Sequence, residues 1–298
     1  MNGLMSNKQQ EVTAKSNQLA YPMLHLFYSL VVESKLFVEQ KIKGGKLALR
    51  PTERVEMFKQ LNDLEKYFSI LEMLWVDCDF EKLEFQSYGR LDVYKVLTRM
   101  EIFKGKKSNK VIFIDGFTRD ISTLFLYLSY FGIMDVKEDE EIKLKYSMSK
   151  LFFIKEVRLT PLGEKIIKIL DKKRGLQDWN IQHRREYGEW DIEFEEEFAV
   201  PFKGMFTDIE IEKTLPRRKI EFKDGIYTFK VSLDKDIWSK IQLSAQDTLH
   251  DLHNLIQKAF DFDNDHMYSF FMDGKPWSKN SFTCPYEGLV QMKWRLES

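Results

Sequence analysis

The sequence predicts an α+β protein, with a mainly helical N-terminal half that contains a winged-helix-like unit, then a small C-terminal β-β-α-β sheet braced by one helix. Apolar residues recur at helical spacing in the N-terminal half and alternate with polar residues after residue 225. A run of seven acids between Glu186 and Glu197 separates the two patterns. The predicted divisions are a helical region (1–85), a winged-helix-like domain (86–175), an acidic connector (176–215) and an α+β domain (216–298).

Periodicity and capping residues predict the elements of the helical half. An apolar helix is expected over Tyr21–Val38, before the break at Lys43–Lys46. Thr52 is expected to cap one long amphipathic helix whose apolar stripe runs from Val55 to Trp75. The next predicted elements are a helix over Leu91–Phe103, a strand over Val111–Ile114 and a helix over Thr118–Phe131, closed by Gly132.

Residues 121–170 have the order of a winged helix. A helix is followed by a charged hairpin through Glu138–Glu141, a strand over Phe153–Leu159, and a last helix opened by Thr160 and Pro161. A unit of this kind that reads DNA needs polar and basic residues on the helix before the wing. That helix is apolar and aromatic here, and the wing tip is acidic. The pattern favours a structural use of the unit over DNA contact.

The C-terminal module is predicted from alternation and one capping box. Two strands, over Tyr227–Leu233 and Ile237–Leu243, each place alternate apolar residues on one face. Thr248 and Asp251 form the Thr-x-x-acid capping box of a helix that is expected to lie across these strands. Met267–Phe271 then alternates as a third strand, which is expected to close the sheet.

At these residues the chain resembles the plasmid pRiA4b open-reading-frame-three-like family. The motifs are Lys-Val-Ser-Leu at 230–233, Ile-Trp-x-x-Ile at 237–241, the Thr-Leu-x-Asp-Leu-His helix at 248–260, and Asp-x-Asp-His-x-Tyr-x-Phe-Phe at 263–271. The resemblance is close over this module and looser from Phe202 to Tyr286. It implies an intracellular α+β domain spread by plasmids and transposable elements, with no established activity. The signature residues, to which it assigns no role, are Trp238, Leu252, His253, Phe260, Asp263, His266, Tyr268 and Phe270.

The end of the chain departs from the family's pattern. Members continue past the segment seen here as Cys284–Glu287 into further strands with a Phe-Asp-x-Gly-Asp run, which this sequence lacks. Gly288–Ser298 does not match the expected continuation, so the domain is expected to be incomplete, as in a truncated or frame-disrupted gene. Half a domain exposes a sheet edge and an apolar face.

Charge limits the partners. Forty-six basic and 47 acidic residues leave a net charge of -1, so no long-range field attracts nucleic acid or an anionic membrane. DNA contact therefore requires a local patch, although basic loops are more often simply solvated. The candidate nucleic-acid-binding residues are Lys104, Lys106, Lys107, Lys110, Arg217, Arg218 and Lys219.

Cysteine usage and hydropathy limit the location. Cys78 and Cys284 have no metal-binding spacing, which argues against structural zinc and suits the reducing cytoplasm. The uncharged stretches at Ser16–Val32 and Ile121–Met134 do not reach the length of a spanning helix, so no membrane association is predicted. No metal and no cofactor are predicted.

Candidate chemistry is sparse. His250 and His253 are three residues apart on one helix, and with His266 they suggest a metal or acid–base site. However, the position of His253 beside the apolar stripe favours a hydrogen-bonded boundary residue. Asp261–Asp265 resembles the start of a calcium loop, but the required glycine is replaced by His266. No phosphate-binding loop, Gly-x-Ser-x-Gly elbow or His-Glu-x-x-His motif occurs.

Two classes of function remain open. The sequence favours an intracellular interaction protein of a mobile-element-associated family, which binds protein or nucleic acid and has no catalytic activity of its own. The alternative is a metal- or acid–base-dependent enzyme with a site near His253 and His266. A recognition platform of Trp238, Phe260, Tyr268 and Phe270 is conceivable, but aromatic residues at this spacing favour a core. The sequence does not indicate a substrate, a partner or an oligomeric state.

Overall fold

The computed structural model describes residues 21–43, 46–84, 91–114, 116, 118–145, 152–187, 189, 192–206, 210–217, 224–272, 274, 276–277 and 281–284. The chain forms two compact units, one of residues 1–183 and 193–216, the other of residues 184–192 and 217–298. Predictions that involve Arg218, Lys219 or Gly288–Ser298 lie outside the described residues.

The described chain combines helices with small antiparallel sheets, which confirms the α+β class. The helices are α1 (Pro22–Glu33), α2 (Glu53–Lys59), α3 (Asp63–Glu72), α4 (Phe80–Leu83), α5 (Val93–Met100), α6 (Ser122–Tyr130), α7 (Glu140–Lys145), α8 (Pro161–Lys173), α9 (Leu176–Trp179), α10 (Ile181–Glu186) and α11 (Leu249–Phe260). The strands are β1 (Phe37–Lys41), β2 (Leu47–Pro51), β3 (Val111–Phe113), β4 (Met134–Glu138), β5 (Ile154–Leu159), β6 (Ile226–Ser232), β7 (Trp238–Ser244), β8 (Ser269–Phe271) and β9 (Ser281–Thr283). In the described part of the chain, no helix has both the length and the apolar composition needed to cross a bilayer.

The first helix is shorter than predicted. α1 ends at Glu33, and Lys35 adopts the left-handed conformation, with φ of 59°, which cannot continue a right-handed helix. Phe37 and Val38, which were expected to be helical, begin strand β1, and β1 pairs with β2 in an antiparallel hairpin. The aromatic and β-branched pair Phe37 and Val38 suits this strand better than a helix.

The long helix expected from Thr52 is two helices. Thr52 caps α2 as predicted, since its side chain accepts a hydrogen bond from the Arg54 N–H. A second capping box then starts α3: the Asn62 side chain accepts from the Glu65 N–H, and the Glu65 carboxylate accepts from the Asn62 N–H. After α3, one π-helical turn over Met73–Asp77 continues the apolar stripe.

An antiparallel sheet in the order β3-β5-β4 forms the middle of the first unit. α6 packs beside it and is buried from Ser122 to Leu128. Gly132 follows with φ of +67°, as expected for a helix C-terminus. The charged segment after β4 was predicted to be a hairpin tip, but it forms the helix α7 instead. Thr160 caps α8 as predicted, and its side chain accepts a hydrogen bond from the Gly163 N–H.

One hydrophobic core runs through the first unit and includes residues from Leu26 to Leu215. It is shared by the regions predicted as two domains, and it also contains Phe198 and Phe202 from the segment predicted as a connector. The buried Arg174 side chain holds this segment by donating to the Phe198 carbonyl oxygen at 3.1 Å. Residues 193–216 are therefore packed into the first unit, while the predicted domain boundaries remain a prediction.

The second unit is built on the hairpin of β6 and β7. Alternate residues of β6 are half-buried and exposed, as predicted, and Phe229 lies opposite Ile241. α11 packs against β7, and the cluster between them also contains Phe270 and Phe282 from the second hairpin. Within the described residues, β8 pairs with β9, so the predicted third strand belongs to a separate two-stranded sheet.

Candidate functional site

His253 lies on the buried side of α11 and is 5% exposed. Its ring stacks on Tyr268, with centroids 3.6 Å apart and planes inclined by 12°. Its Nε2 atom is 2.9 Å from the Asn264 Oδ1 atom. The His253 side chain is therefore held by two contacts, one with the Tyr268 ring and one with the Asn264 amide oxygen. The arrangement places the family-signature histidine in packing between the helix and the segment that leads into β8.

Tyr268 links this histidine to a second one. The Tyr268 hydroxyl lies 2.8 Å from Nδ1 of the exposed His250. Burial raises the pKa of Tyr268, helped by the nearby Cys284 and Asp251, so the phenol is neutral and able to donate. The three rings, His250, Tyr268 and His253, form what we call the histidine–tyrosine stack.

Asp251, the acid nearest in sequence to this stack, already accepts hydrogen bonds from another residue. The Asp251 carboxylate accepts hydrogen bonds from the Thr248 hydroxyl at 2.6 Å and the Thr248 N–H at 2.8 Å. These bonds hold the pKa of Asp251 below its ordinary value despite partial burial. Asp251 therefore completes the capping box that starts α11.

His266 and Asp263 lie on the exposed segment after α11. The His266 side chain is 86% exposed and contacts the Asp265 carboxylate, whereas His253 contacts Asn264 and Tyr268. The two imidazoles proposed for a metal or acid–base site therefore bond to different residues. Among the residues that the structure describes, no group of three or more His, Cys, Asp or Glu side chains is arranged to hold a metal ion.

Trp238 differs from the core position favoured by its sequence pattern. It is 48% exposed, because its side chain points away from α11 on the solvent face of the hairpin. The Lys230 Nζ atom lies 4.8 Å from the centroid of its ring. We call this solvent face the outer hairpin face; its residues are Ile226, Thr228, Lys230, Ser232, Trp238, Lys240, Gln242 and Ser244.

Leu252, Phe260 and Phe270, the remaining signature residues, lie inward or at the boundary. Leu252 is buried, Phe270 packs against the same cluster, and the half-buried Phe260 stacks near Phe262 with centroids 6.0 Å apart. Of the four aromatic residues considered as a recognition platform, only Trp238 belongs to the exposed class. The parity of β7, in which Ile241 and Leu243 are inward, was a sequence signal that Trp238 faces outward.

The basic loop of the first unit faces acids. All four of its lysines are exposed, but Lys104 lies 3.5 Å from a Glu101 carboxylate oxygen and Lys107 lies 3.8 Å from one of Glu164. Glu164 also accepts a hydrogen bond from the Ser108 N–H at 2.7 Å, and this bond lowers its pKa. Glu164 therefore connects the loop to α8, and half of the loop's positive charges lie near carboxylates.

Comparison with known proteins returned a single finding. Neither the search of curated proteins nor the search of solved structures gave a match. The family match begins at Gly225 and runs beyond Tyr286, where the motifs had suggested that the resemblance ends. Residues 225–297 match the family described as Plasmid pRiA4b ORF-3-like protein, which confirms the resemblance of the C-terminal part of the chain to that family.

Proposed function

We propose that this chain is an interaction protein that binds a macromolecular partner through its C-terminal unit and has no catalytic activity of its own. One observation carries the proposal, namely the balance of buried and exposed apolar side chains in that unit. In the part of the unit that the structure describes, four aliphatic residues form the buried cluster. Among the same described residues, nine large apolar side chains are exposed: Tyr187, Ile226, Leu233, Ile237, Trp238, Phe262, Met267, Met272 and Trp277.

This balance is unusual for a surface that only meets water. Isolated exposed apolar residues are ordinary, but the described residues of this unit expose more large apolar side chains than they bury, which suits contact with another molecule. Full burial of one such side chain contributes about 1.5–3 kcal/mol. Burial of two or three of them by a partner would therefore contribute substantially to the free energy of binding.

The first unit is proposed to act as a scaffold. The sheet order β3-β5-β4 supports a winged-helix-like unit, and the burial of α6 from Ser122 to Leu128 supports its structural use. DNA contact by the basic loop is less favoured, because Lys104 and Lys107 lie near carboxylates. The contacts of His253 with Tyr268 and Asn264 likewise support packing over chemistry.

We also propose a cytoplasmic location in a mobile-element setting. Cys78 and Cys284 are free and buried, which suits a reducing compartment. The family description, which refers to a plasmid, supports the mobile-element setting.

Site-specific photo-crosslinking in cells tests this function. A diazirine amino acid replaces Ile237, which is 55% exposed on the C-terminal unit, or Lys172, an exposed residue in the last turn of α8, as the control. We expect discrete crosslinked products with protein or nucleic acid from position 237 and only diffuse background from position 172. Equal background from both positions would contradict the proposal.

A further inference from the structure

The outer hairpin face combines an aromatic ring and two cations, and none of its eight side chains is acidic. Trp238 lies at one end, beside Ser232, and Lys230 and Lys240 occupy the middle. The remaining side chains are mostly uncharged hydrogen-bonding groups. Two of them are already aligned, since the Gln242 amide donates to the Thr228 hydroxyl at 3.3 Å.

The two lysines are directly opposite each other. Lys230 and Lys240 pair in register across the strands, where like charges destabilise a sheet. The Lys230 ammonium partly offsets this repulsion by lying over the Trp238 ring, in cation–π geometry. An anion that contacts both ammonium groups removes the remaining repulsion, so the face is complementary to a negatively charged ligand.

On the basis of the interacting role proposed for the C-terminal unit, we propose that the outer hairpin face binds single-stranded nucleic acid. The phosphates contact Lys230 and Lys240, and one base stacks on the exposed face of Trp238. Thr228 and Gln242 offer hydrogen bonds to sugar or base edges. A duplex is a poor ligand, because its bases are stacked on each other and cannot reach the ring.

Acidic residues lie at both ends of the hairpin and limit the ligand. Asp224 precedes β6, and Asp234 and Asp236 lie in the turn between the strands. These charges favour binding across the middle of the strands. Because the whole chain has a net charge of -1, long-range attraction is weak, and binding is expected to be strongest at low salt.

Fluorescence anisotropy of the full chain with a labelled oligothymidylate of about 15 nucleotides tests the proposal. We expect Trp238→Ala to weaken binding by roughly 5- to 150-fold, and Trp238→Phe to retain most of it, because a phenyl ring still stacks. We expect Lys240→Ala to reduce the slope of log affinity against log salt by about 0.7.

Two matched controls lie away from the outer hairpin face. Phe113→Ala removes an aromatic side chain of β3 that is 77% exposed on the first unit, and Lys258→Ala removes an exposed lysine in the last turn of α11. Both variants are expected to bind as the unaltered chain does. Thermal melting of every variant checks that lost binding does not reflect lost folding, which is not expected at the half-exposed Trp238.

Four results would overturn the proposal: no binding at about 50 mM salt, equal binding of a duplex of the same sequence, binding that Trp238→Ala leaves unchanged, or equal competition by an acidic peptide. If the oligonucleotide fails while crosslinks from position 237 identify a protein, the nucleic-acid inference is wrong and the interaction function stands. If both experiments fail, both proposals are wrong.

Discussion

Replacing Glu65 by Gln tests whether residues 193–216 are part of the first unit. The buried carboxylate is 4% exposed and accepts three backbone hydrogen bonds. One oxygen accepts from the Asn62 N–H at 2.8 Å, and the other accepts from the N–H groups of Glu212 at 3.0 Å and Lys213 at 2.8 Å. One residue thus starts α3 and fixes a segment almost 150 positions away in the sequence.

The substitution keeps the shape but leaves only one accepting oxygen. If that oxygen faces Glu212 and Lys213, the new NH₂ group faces the Asn62 N–H, and two donors meet. Hydrogen bonds to a charged group contribute about 1.5–3 kcal/mol each, so loss of one bond and weakening of the others is expected to cost about 2–4 kcal/mol. For a unit of this size, the melting temperature should fall by about 5–15 °C.

The same change alters the pH dependence. Burial alone would raise the pKa of Glu65, but the bonds from Asn62, Lys213 and Glu212, together with the Lys213 charge, hold it below its ordinary value of 4.5. Because the folded-state pKa is depressed, the stabilisation is complete above about pH 5 and is lost as the pH falls through the folded value. The difference in stability between the unaltered chain and Glu65→Gln should therefore shrink in acid.

Urea unfolding from about pH 7 down to pH 3 measures both effects. Hydrogen exchange at the amides of Glu212 and Lys213, which should become faster in the variant, measures the local one. Glu56→Gln is the control, because its carboxylate is 70% exposed and pairs with the exposed Lys59, and it should change stability by less than about 0.5 kcal/mol. If Glu65→Gln and Glu56→Gln unfold together, or if the Glu65→Gln deficit is the same in acid, the reasoning is refuted.

Three further substitutions or treatments have definite expected outcomes. Gly163→Ala should destabilise the first unit by at least about 3 kcal/mol in urea unfolding, because the new Cβ would lie 1.7 Å from the Ile133 carbonyl oxygen. Gly175→Ala should cost little, because its Cβ would make only an ordinary van der Waals contact, 3.7 Å from the Asp178 Oδ2 atom. Thr248→Ala should lose about 1 kcal/mol by removing the cap of α11, and Thr248→Ser should recover most of it; equal melting of the two would contradict the capping role. Cys78 should resist alkylation in the folded chain, since burial followed by nearby carboxylates raises its pKa well above the ordinary value, and rapid labelling without denaturant would contradict its burial.

Secondary structure was predicted best where a local sequence signal did not conflict with another one. The capping box at Thr248 and the alternation of β6 and β7 gave their elements, because each pattern is decided within a few residues. The prediction of one long helix from Thr52 was wrong, because the apolar stripe continues across the break between two helices. Asn62 and Glu65 have the residue types and spacing of a second capping box. The capping residues therefore marked the start of the second helix, but the continuous apolar periodicity favoured a single one.

Long-range partners were not predictable in this way. Nothing in the acidic composition of residues 193–216 indicates that Phe198 fills a core or that Arg174 donates to its carbonyl oxygen. The alternation in Met267–Phe271 likewise predicted a strand, but it did not indicate that the strand pairs with β9. For the candidate site, the sequence identified His253 and Trp238, and the structure shows the first packed on Tyr268 and the second facing solvent.

The contribution of Leu215 to the first core has a consequence for synthesis on the ribosome. Helices up to residue 183 emerge before the residues that complete their packing, and translation at 5–20 residues per second needs roughly 2–6 s to add the segment through residue 215. During that interval the nascent chain presents the apolar sites later filled by Phe198 and Phe202. A chaperone that recognises exposed apolar segments is expected to bind the nascent chain during those seconds, before Phe198 and Phe202 complete the core.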